Sequence, residues 1–208
     1  NPSVSINQPV KVMHNAGFMV IPTITDGTDK GVFAGLISTA DGRAKAITAI
    51  SNLALQKDPD GKDLFDGIDL DFEGFAFVDG SATWDSTKPN WIAFIQALSA
   101  NLHSAGKLLS ITSPYLLDPT SGKRGYYVYA WADIAPFIDR LRIMTYDYSV
   151  SQPGPIGPIS WTENTVKYAI SVIPASKVFV GLAGYGRDWV TKVDGICPAD
   201  VAKTIAPG

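Results

Sequence analysis

The stretch Leu64-Phe65-Asp66-Gly67-Ile68-Asp69-Leu70-Asp71-Phe72-Glu73 constrains the fold of this chain more than any other. Asp69, Asp71 and Glu73 stand two residues apart, and Ile68, Leu70 and Phe72 fill the intervals. Successive side chains of a strand point to opposite faces, so the three carboxylates share one face and the apolar residues the other. The acids end the run, and Gly74 opens a long polar segment. This is the pattern of a buried parallel strand whose C-terminal end opens into a cup of functional groups. Three like charges on one face repel, so one of them is expected to keep a proton at neutral pH. Asp66 has the opposite parity and reads as structural.

Around this strand, helical and extended patterns alternate. Ile6, Val10 and Met13 recur at helical spacing, stopped by Gly17. Residues 18–25 read as a strand, and Asp41 as the N-cap of a helix with Ile47, Ile50 and Ala54 on its apolar stripe. Residues 74–88 read as a loop containing Trp84. Pro89 fits the first turn of a helix whose core face is Trp91, Phe94, Leu98 and Leu102. Strands follow at 108–113, 141–146 and 178–183, and helices at 131–137 and 162–173. Pro198 to Ala206 fits one further helix. Five strands alternating with helices predict parallel βα units in one domain, 1–208.

Composition removes several function classes. With 17 basic and 20 acidic residues the net charge is -3, and no basic run tracks a phosphate backbone, which argues against nucleic acid. The apolar runs are too short to span a bilayer. Cys197 is the only cysteine, so an intrachain disulfide and a cysteine-based zinc cluster are excluded. His14 and His103 lie in helical stretches and read as structural, leaving little for a Ser-His-Asp or His-rich metal site. No leader peptide is visible, and a chain starting at Asn1 leaves room for one already removed.

Three segments, in order, carry a family resemblance. Asp66-Gly67-Ile68-Asp69-Leu70-Asp71-Phe72-Glu73 matches the DGxDxDxE signature of glycoside hydrolase family 18, the chitinase-like enzymes. Met144-Thr145-Tyr146-Asp147 resembles the family's MxYD motif at the end of strand six. Val180-Gly181-Leu182 through Tyr185-Gly186-Arg187 resembles the seventh strand and its YGR exit. Together they span roughly residues 17–189 and imply a (β/α)8 barrel. In that alignment the five strands are the third to the seventh, and the first, second and eighth are not in this chain. A complete barrel takes about 250 residues. At strand three the family's SxGG is replaced by Ile21-Pro22-Thr23-Ile24-Thr25-Asp26. With Tyr185-Gly186-Arg187-Asp188-Trp189, this is more similar to the bacterial cell-wall and spore-cortex branch.

The resemblance implies hydrolysis of a β-1,4-linked N-acetylglucosamine polysaccharide, chitin or peptidoglycan, by substrate-assisted retention. It makes Glu73 the acid and base, Asp71 the group that orients the acetamido, Asp69 its proton-sharing partner, and Tyr146 a donor to the acetamido oxygen. Asp147 would bind sugar and Met144 pack beneath it. Trp84, Tyr148, Tyr115 and Arg187 complete the expected substrate-binding set, with Trp84 and Tyr148 foremost among rings able to stack on a pyranose; Trp131, Trp161 and Trp189 are further candidates. No cofactor is called for. A divalent metal on the acidic row would need ligands from neighbouring strands that no motif supplies. The alternative is a non-catalytic lectin of the same fold. An extracellular or cell-wall location is expected from the substrate.

Overall fold

The structure, a computed structural model, describes residues 6–118, 124–190 and 195. The expected helix at 198–206 and Cys197 lie outside the described residues. Five strands form one parallel sheet in sequential order: β1 (Thr23–Thr25), β2 (Gly67–Asp71), β3 (Leu108–Pro114), β4 (Arg140–Met144) and β5 (Val178–Val180). The helices are α1 (Asn7–Asn15), α2 (Val32–Ser38), α3 (Ala40–Ala54), α4 (Gly74–Phe77), α5 (Trp84–Ser104), α6 (Trp131–Ile134) and α7 (Ile159–Val172). Strands in chain order with helices on one side are the wall of a βα barrel. Among the described residues the wall does not close.

The two faces of the sheet differ as the alternation in the sequence demands. The helix side carries Ile68, Leu70, Leu109, Ile111, Leu141 and Ile143, all buried. They pack against Trp91, Phe94, Leu98 and Leu102, which recur on α5 at three- and four-residue spacing. Each such side chain withdrawn from water contributes about 1.5–3 kcal/mol. The opposite face is polar. The register pairs Thr23 with Asp69, Thr25 with Asp71, Asp69 with Ser110, Thr112 with Arg142 and Pro114 with Met144, setting these residues side by side on it.

Several elements depart from the sequence reading. The strand expected at 18–25 contracts to Thr23–Thr25. Pro22 has no N–H to give the ladder, so only its carbonyl pairs, accepting from the Asp69 N–H at 2.9 Å. Helix α3 is capped by Thr39, whose side chain accepts from the Gly42 N–H, while Asp41 sits in the first turn and pairs with Lys45. Helix α2 was not foreseen, because seven residues carry too little periodicity. The loop expected at 74–88 is α4, a 3-10 turn at Ser81–Thr83 and the first turn of α5. Pro89 therefore lies inside α5 rather than in its first turn.

Asp66 and both histidines act as structural ties, as expected. Asp66 Oδ2 accepts from the Val20 N–H and meets His14 Nε2 at 3.0 Å. Asp139 Oδ2 accepts from the Leu109 N–H and meets His103 Nε2, whose Nδ1 faces Ser99. That Ser-His-Asp row is not a nucleophile: Ser99 is buried and its hydroxyl donates to the Phe137 carbonyl. It fastens α5 to the entry of β4.

Candidate active site

The polar face of the sheet opens into a cavity of about 450 Å³, lined by Thr23, Asp69, Asp71, Thr112, Arg142, Met144, Tyr146 and Phe179 among others. Asp69 and Asp71 enter it because odd-numbered positions of β2 face that way. Asp69 is fully buried. Its Oδ2 accepts from Thr23 Oγ1 at 3.1 Å and Thr112 Oγ1 at 2.9 Å, and Arg142 approaches the same oxygen at 3.8 Å. Asp69 Oδ1 and Asp71 Oδ1 are both buried without a hydrogen-bond partner. Burial, and then the charge of Asp69, push the Asp71 carboxyl above its ordinary pKa.

Glu73 does not continue the strand. Asp71 is the last residue of β2, and Glu73 stands at the N-cap of α4 with its backbone carbonyl accepting from Ala76 and Phe77. The side chain is exposed. Desolvation by its surroundings, and then the Asp71 charge, raise its proton affinity. The backbone that aims it is anchored from below: Tyr129, fully buried, donates its hydroxyl to the Phe72 carbonyl at 2.6 Å, and Trp91 Nε1 donates to the Tyr129 carbonyl. Nothing in the local pattern around Tyr129 announced that role.

Tyr146 lies just past β4, half-buried, beside the same acids. Burial, and then Asp71, Glu73 and Asp147, push its phenol above the usual range, so it is a neutral donor at pH 7. Gly181 makes room for it: a Cβ at that position would fall 2.9 Å from Tyr146 Cε1. Met144 lines the cavity. Asp147 adopts a left-handed backbone, φ 56°, which turns its carboxylate toward the β5 exit loop. There Arg187 donates to Asp147 Oδ1 from Nε at 3.0 Å and from Nη2 at 2.7 Å. Desolvation works against the Asp147 charge, but Arg187 and Tyr185 donate to it and the net direction is below the usual carboxylate range. Trp189 Nε1 donates to the Val150 carbonyl and ties the same two loops together.

The aromatic candidates divide. Tyr148 is 55% exposed and rests against Trp161, with centroids 5.2 Å apart. Tyr115 is half-buried and stands edge-on to Trp161 at 5.0 Å and to Tyr126 at 5.6 Å. Both keep part of the ring open to solvent. Trp84 does not: it is the first residue of α5, 8% exposed, and its Nε1 donates to the Ala76 carbonyl. Its ring packs against Tyr126 and Tyr127, so it closes the core beneath α4 rather than offering a face to sugar. Trp131 is likewise fully buried and donates to Ser113 Oγ.

Two polar residues that no motif contained, Thr112 and Arg142, also line the cavity, as does Thr23 of the strand-three segment. The signal for Arg142 was parity, since it precedes Met144 and Tyr146 by two and four residues. Among the described residues no group of three or more His, Cys, Asp or Glu is placed to hold a metal, and no helix is long and apolar enough to cross a membrane.

Comparison with known proteins places the chain in a family. The sequence profile of "Glycosyl hydrolases family 18" matches residues 6–203. YdhD of Bacillus subtilis (strain 168), described as a sporulation-specific glycosylase, is 28% identical over 145 residues, 68% of this chain and 31% of YdhD. Its crystal structure superposes with a TM-score of 0.75 at 21% identity, covering 92% of this chain and 61% of that one. Chitinase 63 of Streptomyces plicatus is 28% identical over 170 residues, 74% of this chain and 27% of the chitinase. A chitinase from Chromobacterium violaceum ATCC 12472 superposes with a TM-score of 0.67 at 24% identity, covering 88% and 55% of the two chains. The chain thus spans about a third of the length of the curated relatives it matches, and its sheet is part of a (β/α)8 barrel. With the profile matched across nearly all of its length, the chain belongs to glycosyl hydrolases family 18.

Proposed function

We propose that this chain carries the catalytic wall of a glycosidase that hydrolyses β-1,4-linked N-acetylglucosamine polysaccharide of the chitin or peptidoglycan type. The observation that carries the reading is Asp71 and the neutral phenol of Tyr146 lining one cavity, with Glu73 close enough to feel Asp71 and to act on Tyr146, and with the proton affinity of both acids raised. A raised proton affinity moves a carboxyl toward general acid work.

In this reading Glu73 protonates the glycosidic oxygen as the bond to the anomeric carbon breaks. The acetamido oxygen of the same sugar attacks that carbon and gives a cyclic oxazolinium. The Tyr146 hydroxyl donates to the acetamido oxygen, and Asp71 steadies the group as charge develops on it. Water then attacks from the leaving side, Glu73 takes its proton, and the anomeric configuration is retained. Asp147, held by Arg187, binds a neighbouring hydroxyl, while Met144, Tyr115 and Tyr148 supply apolar surface. Relatives named as chitinases and as cortex-lytic enzymes support both polymer types. A polymer substrate of either kind puts the protein outside the cell or at the cell wall.

The test is Glu73→Gln, assayed on a chito-oligosaccharide. The amide keeps the shape but carries no transferable proton, so turnover is expected to fall by several orders of magnitude while binding is largely spared. Comparable turnover in the variant would remove Glu73 from the chemistry. Binding without turnover in the unaltered chain would favour the lectin.

A further inference from the structure

Asp69 receives its donors on one oxygen only. Thr23 from β1, Thr112 from β3 and Arg142 from β4 all converge on Oδ2, at 3.1, 2.9 and 3.8 Å. Oδ1 receives none, and neither does Asp71 Oδ1, although both atoms are buried. Buried acceptors are seldom left empty. A single proton held by this pair fills the gap, because a protonated carboxyl becomes a donor to its neighbour.

The two places for that proton are not equivalent. Among the described residues, the charged or titratable groups facing the pair are Arg142 at the Asp69 end and Glu73, Tyr146 and Tyr129 at the Asp71 end. A proton on Asp69 would set a neutral carboxyl against a guanidinium and two hydroxyl donors, and would put the anion on Asp71 beside Glu73. A proton on Asp71 leaves the anion where all the donors are and removes one charge from the neighbourhood of Glu73. Burial and the Asp69 charge act on Asp71 in the same direction.

We propose that Arg142 is a positioning residue that holds Asp69 as the anion of the pair and so keeps the shared proton on Asp71, next to Glu73. The proposal rests on the glycosidase reading for its meaning: the shared proton is then held beside Glu73, the group that protonates the glycosidic oxygen. The Arg142 guanidinium approaches Asp69 Oδ2 at 3.8 Å. It acts through Asp69, reaching across the polar face from two strands away.

The experiment is carbon-13 NMR of the aspartate carboxyls in the full chain, with Asp69 and Asp71 assigned through their own backbones and titrated from acid to neutral pH. In the unaltered protein the Asp71 carboxyl is expected to stay neutral to higher pH than that of Asp69. In Arg142→Met the Asp69 midpoint should rise by about one to three pH units, the range produced by an adjacent opposite charge, and the neutral fraction should spread to Asp69. Arg142→Lys, which keeps the charge, should titrate like the unaltered protein. A proton on Asp69 in the unaltered protein overturns the proposal, as does an unmoved midpoint in Arg142→Met or an equal shift in both variants. If Arg142→Met fails to fold, the site of the proton in the unaltered chain and the lysine variant still decide. The readout is a carboxyl and not turnover. An inactive protein with this titration would therefore defeat the glycosidase reading alone, and an active one without it would defeat the role of Arg142 alone.

Discussion

Gly181 is where the fit of β5 against β4 meets the chemistry, and Gly181→Ala puts one methyl group into that seam. The new Cβ would lie 2.7 Å from the Ile143 carbonyl oxygen and 2.9 Å from Tyr146 Cε1. Both distances are below ordinary van der Waals contact. The first partner is backbone and has little freedom to move, because Ile143 O already accepts from the Gly181 N–H at 2.8 Å. Thr145 Oγ1, which donates to the Gly181 carbonyl at 2.5 Å, resists a shift from the other side. Relief therefore comes from moving the β5 exit outward, turning the Tyr146 ring, or both. Overpacking of this kind costs about 1–3 kcal/mol. At the 2–4 °C per kcal/mol usual for domains of this size, the melting temperature should fall by roughly 2–12 °C. Thermal and urea unfolding measure that loss, and binding of a thiazoline analogue of the cyclic intermediate reports on Tyr146. Both should weaken together. Gly184→Ala is the control, since a Cβ there meets nothing within 4 Å, and it should stay within about 0.5 kcal/mol of the unaltered protein. A Gly181→Ala protein as stable as that control, and as tight for the analogue as the unaltered chain, would refute the claim that this glycine positions Tyr146.

Two other outcomes are expected. Tyr146→Phe should weaken the thiazoline by about 1–3 kcal/mol, the range for leaving a buried acceptor unpaired, with hydrolysis of a substrate lacking the N-acetyl group as the control that should already be near zero; rapid cleavage of the de-acetylated sugar would point to a carboxylate nucleophile instead. Asp71 and Glu73 both have folded pKa values above their unfolded ones, so the folded state binds more protons and this contribution to stability is full below the unfolded carboxylate pKa and lost as pH rises through the raised values. Asp71→Asn should therefore stabilise the chain at neutral pH and make little difference in acid, and urea midpoints against pH that run parallel for the two proteins would contradict this.

The features legible in the sequence are those set by a short-range period. Alternation in Ile68-Asp69-Leu70-Asp71 fixed the two faces of β2, and the i, i+3, i+4 stripe from Trp91 to Leu102 fixed the buried side of α5. Errors arose where a single residue admits two environments. Trp84 lies within a polar segment, and only the Ala76 carbonyl and the rings of Tyr126 and Tyr127, eight to more than forty residues away, make it core. Asp41 and Thr39 are both competent caps, and the choice fell to the residue whose oxygen reaches the Gly42 N–H. Arg142 had the right parity and was passed over because its neighbours Met144, Tyr146 and Asp147 carried the motif. Its partner Asp69 is 73 positions earlier, which no local pattern can show.

The same alternation separates stability from chemistry. The three central strands, β2 to β4, place one parity against the helices and the polar groups of the cup on the other. Along the β4 segment Ile143 and Thr145 are buried, 1% and 3% exposed, whereas Arg142, Met144 and Tyr146 between and beside them are half-buried and present their side chains to the cavity. Substitutions on the cavity parity remove little apolar burial, so they can change proton placement and sugar contacts without unfolding the sheet. Gly181 escapes this division because it has no side chain on either face: its backbone carries the β5 pairing, and the empty space in front of it holds Tyr146. That is why a single methyl there is expected to disturb both properties at once, while Tyr146→Phe, made on the cavity side alone, disturbs only one.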